Sequence, residues 1–92
     1  MGWFVYMLRC GDGSLYTGCT DCVERRLAVH QSGKGAKYTR SRLPVELVYQ
    51  EAAEDRSAAL RREAAIKRLS RKEKLSLLEE SDPKKRQPEN PG

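Results

Sequence analysis

The run Trp3-Phe4-Val5-Tyr6-Met7-Leu8-Arg9-Cys10-Gly11-Asp12-Gly13-Ser14-Leu15-Tyr16-Thr17-Gly18-Cys19 decides how this chain folds. Trp3 to Arg9 is rich in aromatic and branched side chains, Gly11-Asp12-Gly13 is turn chemistry, and Leu15 to Cys19 resumes the strand pattern. The run therefore reads as a β-hairpin. Its register has two solutions. A two-residue Asp12-Gly13 loop sets Tyr6 opposite Cys19 and puts Tyr6 and Tyr16 on opposite faces of the sheet. A three-residue Gly11-Asp12-Gly13 loop, with Gly13 left-handed at a bulge, pairs Leu8 with Tyr16. Both tyrosines then share a face as diagonal neighbours. The residues are compatible with either loop.

Outward from the hairpin, Asp21-x-x-Glu24 has the form of a capping box and Gly33 is a stop signal, which predicts a helix from about Cys22 to Ser32. Val23, Leu27 and His30 form its inward stripe. Arg26 sits at the stripe's edge, four residues before His30, while Arg25 points away. Residues Gly33 to Arg40 read as a loop, and Pro44 opens a third strand, Val45 to Gln50. Asp55 or Ser57 caps a second helix running to about Leu69. Ser70-x-x-Glu73 is a further capping box, which starts a short third helix carrying Leu75 and Leu78. The order β-β-α-β-α-α defines a small α/β (α+β) sandwich with an antiparallel hairpin at its centre, over residues 1–80. From Ser81 to residue 92, three prolines among polar residues predict a disordered tail.

A chain of 92 residues supports one core at most. Lys plus Arg outnumber Asp plus Glu by 18 to 13, for a net charge of +5 and a pI near 9.3. Between Arg25 and Val45 the basic residues Arg25, Arg26, Lys34, Lys37, Arg40 and Arg42 meet no acidic one, a local field suited to phosphates. No apolar run is long enough to cross a membrane and no signal-peptide plan opens the chain, so the expected location is cytoplasmic. Cys10, Cys19 and Cys22 are an odd set and read as small buried or half-buried side chains rather than a disulfide framework.

Glu63 interrupts the inward arc of the second helix. Ala59 and Ile66 flank it on one side and Leu60 on the other, while Arg61, Arg62 and Arg68 take the outer face. An inward carboxylate is costly unless it meets a cation or several donors. Either it pairs with an arginine or with Lys67 on the same face, or it holds a metal. A single carboxylate suits Mg²⁺, which keeps most of its waters and takes other ligands from a phosphate. Arg26 offers a planar fork for a phosphate and His30 moves a proton near neutral pH. Singly, a helical arginine, a core histidine and two hairpin tyrosines are ordinary.

The ordered set resembles the GIY-YIG nuclease superfamily, and most of all its small stand-alone members, over about Trp3 to Glu80. The first motif reads Phe4-Val5-Tyr6, without the usual leading glycine, and the second reads Tyr16-Thr17-Gly18. The resemblance implies a three-stranded antiparallel sheet flanked by helices and selects the three-residue turn. It implies catalytic roles for Tyr6, Tyr16, Arg26, His30 and Glu63, with Glu63 the metal ligand. The asparagine that some members use downstream has only Asn90 to match it. The expectation is a metal-dependent DNA endonuclease using Mg²⁺, with Mn²⁺ as a substitute and no small-molecule cofactor. Lys34, Lys37, Tyr38, Thr39 and Arg40 are expected to touch the substrate backbone. The alternative is a non-catalytic nucleic-acid-binding module on the same fold.

Overall fold

A computed structural model describes residues 2–81. Its elements run β1 (Trp3–Arg9), β2 (Leu15–Thr20), α1 (Val23–Gln31), α2 (Lys37–Arg40), β3 (Glu46–Ala53), α3 (Arg56–Lys67) and α4 (Arg71–Ser81). The sheet is three-stranded and antiparallel in the order β2-β1-β3, so β1 is central and β2 is an edge. The architecture is the α+β sandwich expected, with one addition. The segment read as a loop contains the one-turn helix α2, begun from the extended Ala36. A single turn carries too little periodic pattern to be told from a loop.

The hairpin adopts the three-residue loop. The Cys10 amide donates to the Ser14 carbonyl at 2.9 Å, closing the ladder around Gly11-Asp12-Gly13, and Gly13 takes φ +85. Leu8 pairs with Tyr16, and Tyr6 with Gly18. The shorter loop is thereby excluded, and the two tyrosines share a face.

Caps explain the helix ends. Asp55 begins α3 by accepting from the Ala58 amide at 2.8 Å, and Ser70 and Glu73 bond reciprocally at the start of α4. Asp21 does not cap α1. Its N-cap is Cys22, which makes no side-chain cap bond; the Thr20 hydroxyl accepts from the Cys22 amide instead. In α4 Leu77 and Leu78 pack on the core, while Leu75, expected to do so, is 38% exposed. Helix α4 includes Ser81, and the tail expected beyond it, with Asn90, lies outside the described residues.

Alternation along β1 divides the core into two layers. Val5 and Met7 face α3 and pack with Tyr49, Ala59 and Ile66. Tyr6, Leu8 and Cys10 face α1 and pack with Val45, Tyr16 and Leu27. The smallness of Ala59 lets α3 lie close on the sheet, and burial of Ile66 contributes roughly 1.5–3 kcal/mol. Helices on opposite faces thus both border the edge strand β2.

Candidate active site

The site is built where β1's phenol crosses the edge strand. Tyr6 is 2% exposed and points over Gly18, where even a Cβ would stand 2.6 Å from its hydroxyl. Only glycine opposite Tyr6 lets the ring lie flat across β2. Beyond it, the Tyr6 hydroxyl lies 3.0 Å from His30 Nε2. Tyr16, a diagonal neighbour, sets its ring 5.3 Å from the imidazole.

His30 is wholly buried in the last turn of α1. Its Nδ1 lies 2.9 Å from the Thr39 hydroxyl, which donates to the Ala36 carbonyl at 3.0 Å. Burial, and then the Arg26 cation, hold the imidazole below its ordinary value of 6.5. Burial pushes the Tyr6 phenol up to about 12, although a hydrogen bond from Arg26 pulls the other way. The charges of Tyr16 and Glu63 raise it further. Tyr6 is therefore a protonated phenol at neutral pH, facing a neutral imidazole.

Glu63 reaches the same edge from α3 on the opposite face. Its carboxylate forms an i, i+4 ion pair with Lys67 at 2.9 Å, and it is only 17% exposed. Of the partners open to it from sequence, Lys67 is the one it meets. The pair extends toward the hairpin: Lys67 is raised chiefly by Glu63 and more weakly by Tyr16. The Cys19 thiol, on the same face, is pushed up to about 11 by burial and then by its hydrogen bond to Glu63. All three cysteines are free. Among the described residues no three His, Cys, Asp or Glu side chains cluster as metal ligands. A single carboxylate fits a hydrated divalent ion that draws its remaining ligands from water and a phosphate, and it does not fit a fully protein-ligated one.

Of the five expected site residues, Tyr6, Tyr16, Arg26 and His30 gather on the α1 face, and Glu63 lies on the α3 face, near enough for its charge to raise the Tyr6 phenol. The expected substrate-contact segment divides. Lys34, Lys37 and Arg40 are exposed, and Tyr38 is 37% exposed with its ring stacked on Tyr16 at 5.8 Å. Thr39 is corrected: it is fully buried, its hydroxyl is spent on His30 and Ala36, and it has no surface to offer a nucleic acid. Sequence reasoning also passed over Gly18 and Gly35 as contact positions. An added Cβ at Gly35 would stand 2.3 Å from His30 Nδ1. A shallow groove of about 300 Å³ beside β2 is lined by Cys19, Cys22, Arg25 and Arg26. The larger groove, about 670 Å³ between α3 and α4, holds none of these groups.

A phenol, an imidazole, a guanidinium and a carboxylate thus lie within electrostatic reach of one another at the edge of a small antiparallel sheet. The chain belongs to the family described as the GIY-YIG catalytic domain, a nuclease-type family whose model matches residues 2–76. It is 56% identical to the UPF0213 protein of Staphylococcus haemolyticus, over 84% of this chain and 94% of that one. It is 54% identical to the UPF0213 protein of Streptococcus sanguinis, over 84% and 88% respectively. The solution structure of the UPF0213 protein from Bacillus halodurans superposes with a TM-score of 0.60 at 46% identity, covering 92% of each chain. A solution structure from E. faecalis gives 0.56 at 44% identity, over 84% of this chain and 83% of that one. No helix among the described residues is long and apolar enough to cross a membrane.

Proposed function

We propose that this chain is a Mg²⁺-dependent endonuclease that hydrolyses phosphodiester bonds in DNA, with Mn²⁺ able to substitute. The observation that carries the reading is the Tyr6–His30 hydrogen bond held beside Arg26 and facing Glu63 across β2. Glu63 is the residue that would hold the metal, which when bound supplies Lewis-acid charge to the scissile phosphate. Lys67 must yield one carboxylate oxygen for this.

The phenol is too weak an acid to act as a free phenolate near pH 7. A relay removes the difficulty. Water gives a proton to the Tyr6 oxygen while Tyr6 gives its own to His30 Nε2, leaving an imidazolium. The water oxygen bonds to phosphorus, the P–O3′ bond breaks, and the 3′ oxygen is protonated from solvent. Arg26 holds the extra negative charge on the phosphate in the transition state. Tyr16 orients the phosphate or the water. Lys34, Lys37 and Arg40, exposed near the site, supply cations for the flanking backbone.

Labelled single-stranded, duplex and branched DNA, incubated with Mg²⁺ or with chelator, tests this directly. Wild type cuts at least one substrate only with Mg²⁺, and Glu63→Ala and Arg26→Ala do not. No cutting by wild type, or equal cutting by Glu63→Ala, refutes the catalytic assignment. Binding without cutting, weakening linearly with salt on a log–log plot, would establish the non-catalytic module instead.

A further inference from the structure

His30 makes two hydrogen bonds, Nε2 to Tyr6 at 3.0 Å and Nδ1 to Thr39 at 2.9 Å. A neutral imidazole carries one N–H, so one bond is donated and the other accepted. The Ala36 carbonyl, 3.0 Å from the Thr39 hydroxyl, can only accept. When Thr39 gives its proton to Ala36, its oxygen accepts from Nδ1–H, and Nε2 accepts from the Tyr6 hydroxyl. In the reverse arrangement Nε2–H donates to a Tyr6 oxygen that already faces Arg26, which has only donors. The buried Tyr6 proton then lacks an acceptor, which leaves its desolvation uncompensated. Among the described residues the buried side-chain polar atom without a partner is Thr17 Oγ1, in the other layer of the sheet. The first arrangement is the one in which every proton of the Tyr6–His30–Thr39 chain has an acceptor.

The segment carrying Thr39 is held in place at several points. The Gly11 amide donates to the Arg42 carbonyl at 2.7 Å, and the Arg42 guanidinium reaches Asp12 at 3.1 Å. That guanidinium also lies 4.0 Å over the Tyr38 ring, which stacks on Tyr16. Gly35 brings bare backbone against the imidazole at a distance no side chain could share. Turn, α2 and Gly35 together make a rigid seat for one ring.

We propose that Thr39 is a positioning residue: seated by Gly35 and α2, it fixes the Nδ1–H tautomer of His30 and leaves Nε2 free to take the Tyr6 proton. Its effect on catalysis rests on the proton relay proposed above, whereas its effect on the tautomer does not. His30 is the one histidine of the chain, so ¹⁵N-histidine labelling of tag-free protein yields a single imidazole in long-range ¹H–¹⁵N spectra. At a pH where His30 is neutral, wild type should carry its proton on Nδ1. Thr39→Val should shift the population toward Nε2–H or into exchange, and lower kcat on DNA by about ten- to a hundredfold with KM unchanged. Thr39→Ser should restore both. A wild-type imidazole protonated on Nε2 overturns the proposal without any variant, so an unfolded Thr39→Val does not shelter it. A Thr39→Val spectrum and kcat equal to wild type overturn it as well. If wild type cuts no DNA the nuclease reading fails, and the tautomer spectra still judge Thr39.

Discussion

The two halves of the site are built in opposite ways. On the α1 face, Tyr6, His30 and Thr39 form a dry chain in which each is at most 2% exposed and each polar atom has a partner. On the α3 face, Glu63 keeps some exposure and its ion pair is to a half-exposed lysine. Proton transfer needs fixed distances and a suppressed imidazole charge, which burial supplies. An exchangeable metal needs a ligand that can open to water. On the proposed mechanism, the fold separates these demands by putting one group on each face of the sheet, on either side of the edge strand.

The largest break in this comparison comes from the open half. Glu63→Gln keeps the shape and removes the charge, so cleavage should fall by roughly a thousandfold, the equivalent of several kcal/mol. Its melting temperature should stay near wild type, because a partly exposed ion pair contributes about 1 kcal/mol or less. A cleavage assay beside a thermal melt checks both.

At the junction, Gly18→Ala should cost about a hundredfold in kcat, because its methyl would lie 2.6 Å from the Tyr6 hydroxyl and displace the phenol. Unchanged kinetics would show that Tyr6 does not act from this position.

pH should separate the halves. His30 must be neutral to accept a proton, and its folded pKa lies below 6.5. Cleavage should therefore be level above neutrality and fall about tenfold per pH unit once below that folded value. Stability has the same sign. A depressed histidine contributes stability that is present above about 6.5 and lost as pH falls through its folded pKa. Melting temperatures across this range should show the decline, and His30→Gln should flatten it.

The smallest effect should come from the turn. Asp12→Asn weakens an exposed pair with Arg42 and should leave the melting temperature close to that of wild type, with cleavage within about twofold. A larger loss would mean that the clamp on α2 matters more to the buried half than its exposure indicates.

Much of this site was legible before the fold was known. The i, i+4 relation of Arg26 and His30, the inward phase of Glu63 and the Ser70–Glu73 box are local patterns, set by 3.6 residues per turn and by capping geometry. Thr39 was legible only as part of a basic loop, and its burial follows from how α2 docks on α1. Leu75 and Leu77 differ in burial because the docking angle of α4 decides which stripe touches the sheet.

By itself the sequence determined the three strands, the caps of α3 and α4, the inward phases of His30 and Glu63 and the identities of the candidate site groups, because each depends on neighbours a few residues away. The choice between two hairpin loops, the passage of Tyr6 over Gly18, the closing of Thr39 on His30 and the pairing of Glu63 with Lys67 were decided in three dimensions. The first three depend on strand register and helix docking, which bring together groups that no local period relates. The last was one of several partners open to an inward carboxylate, and the fold left Glu63 with its own i, i+4 neighbour on α3.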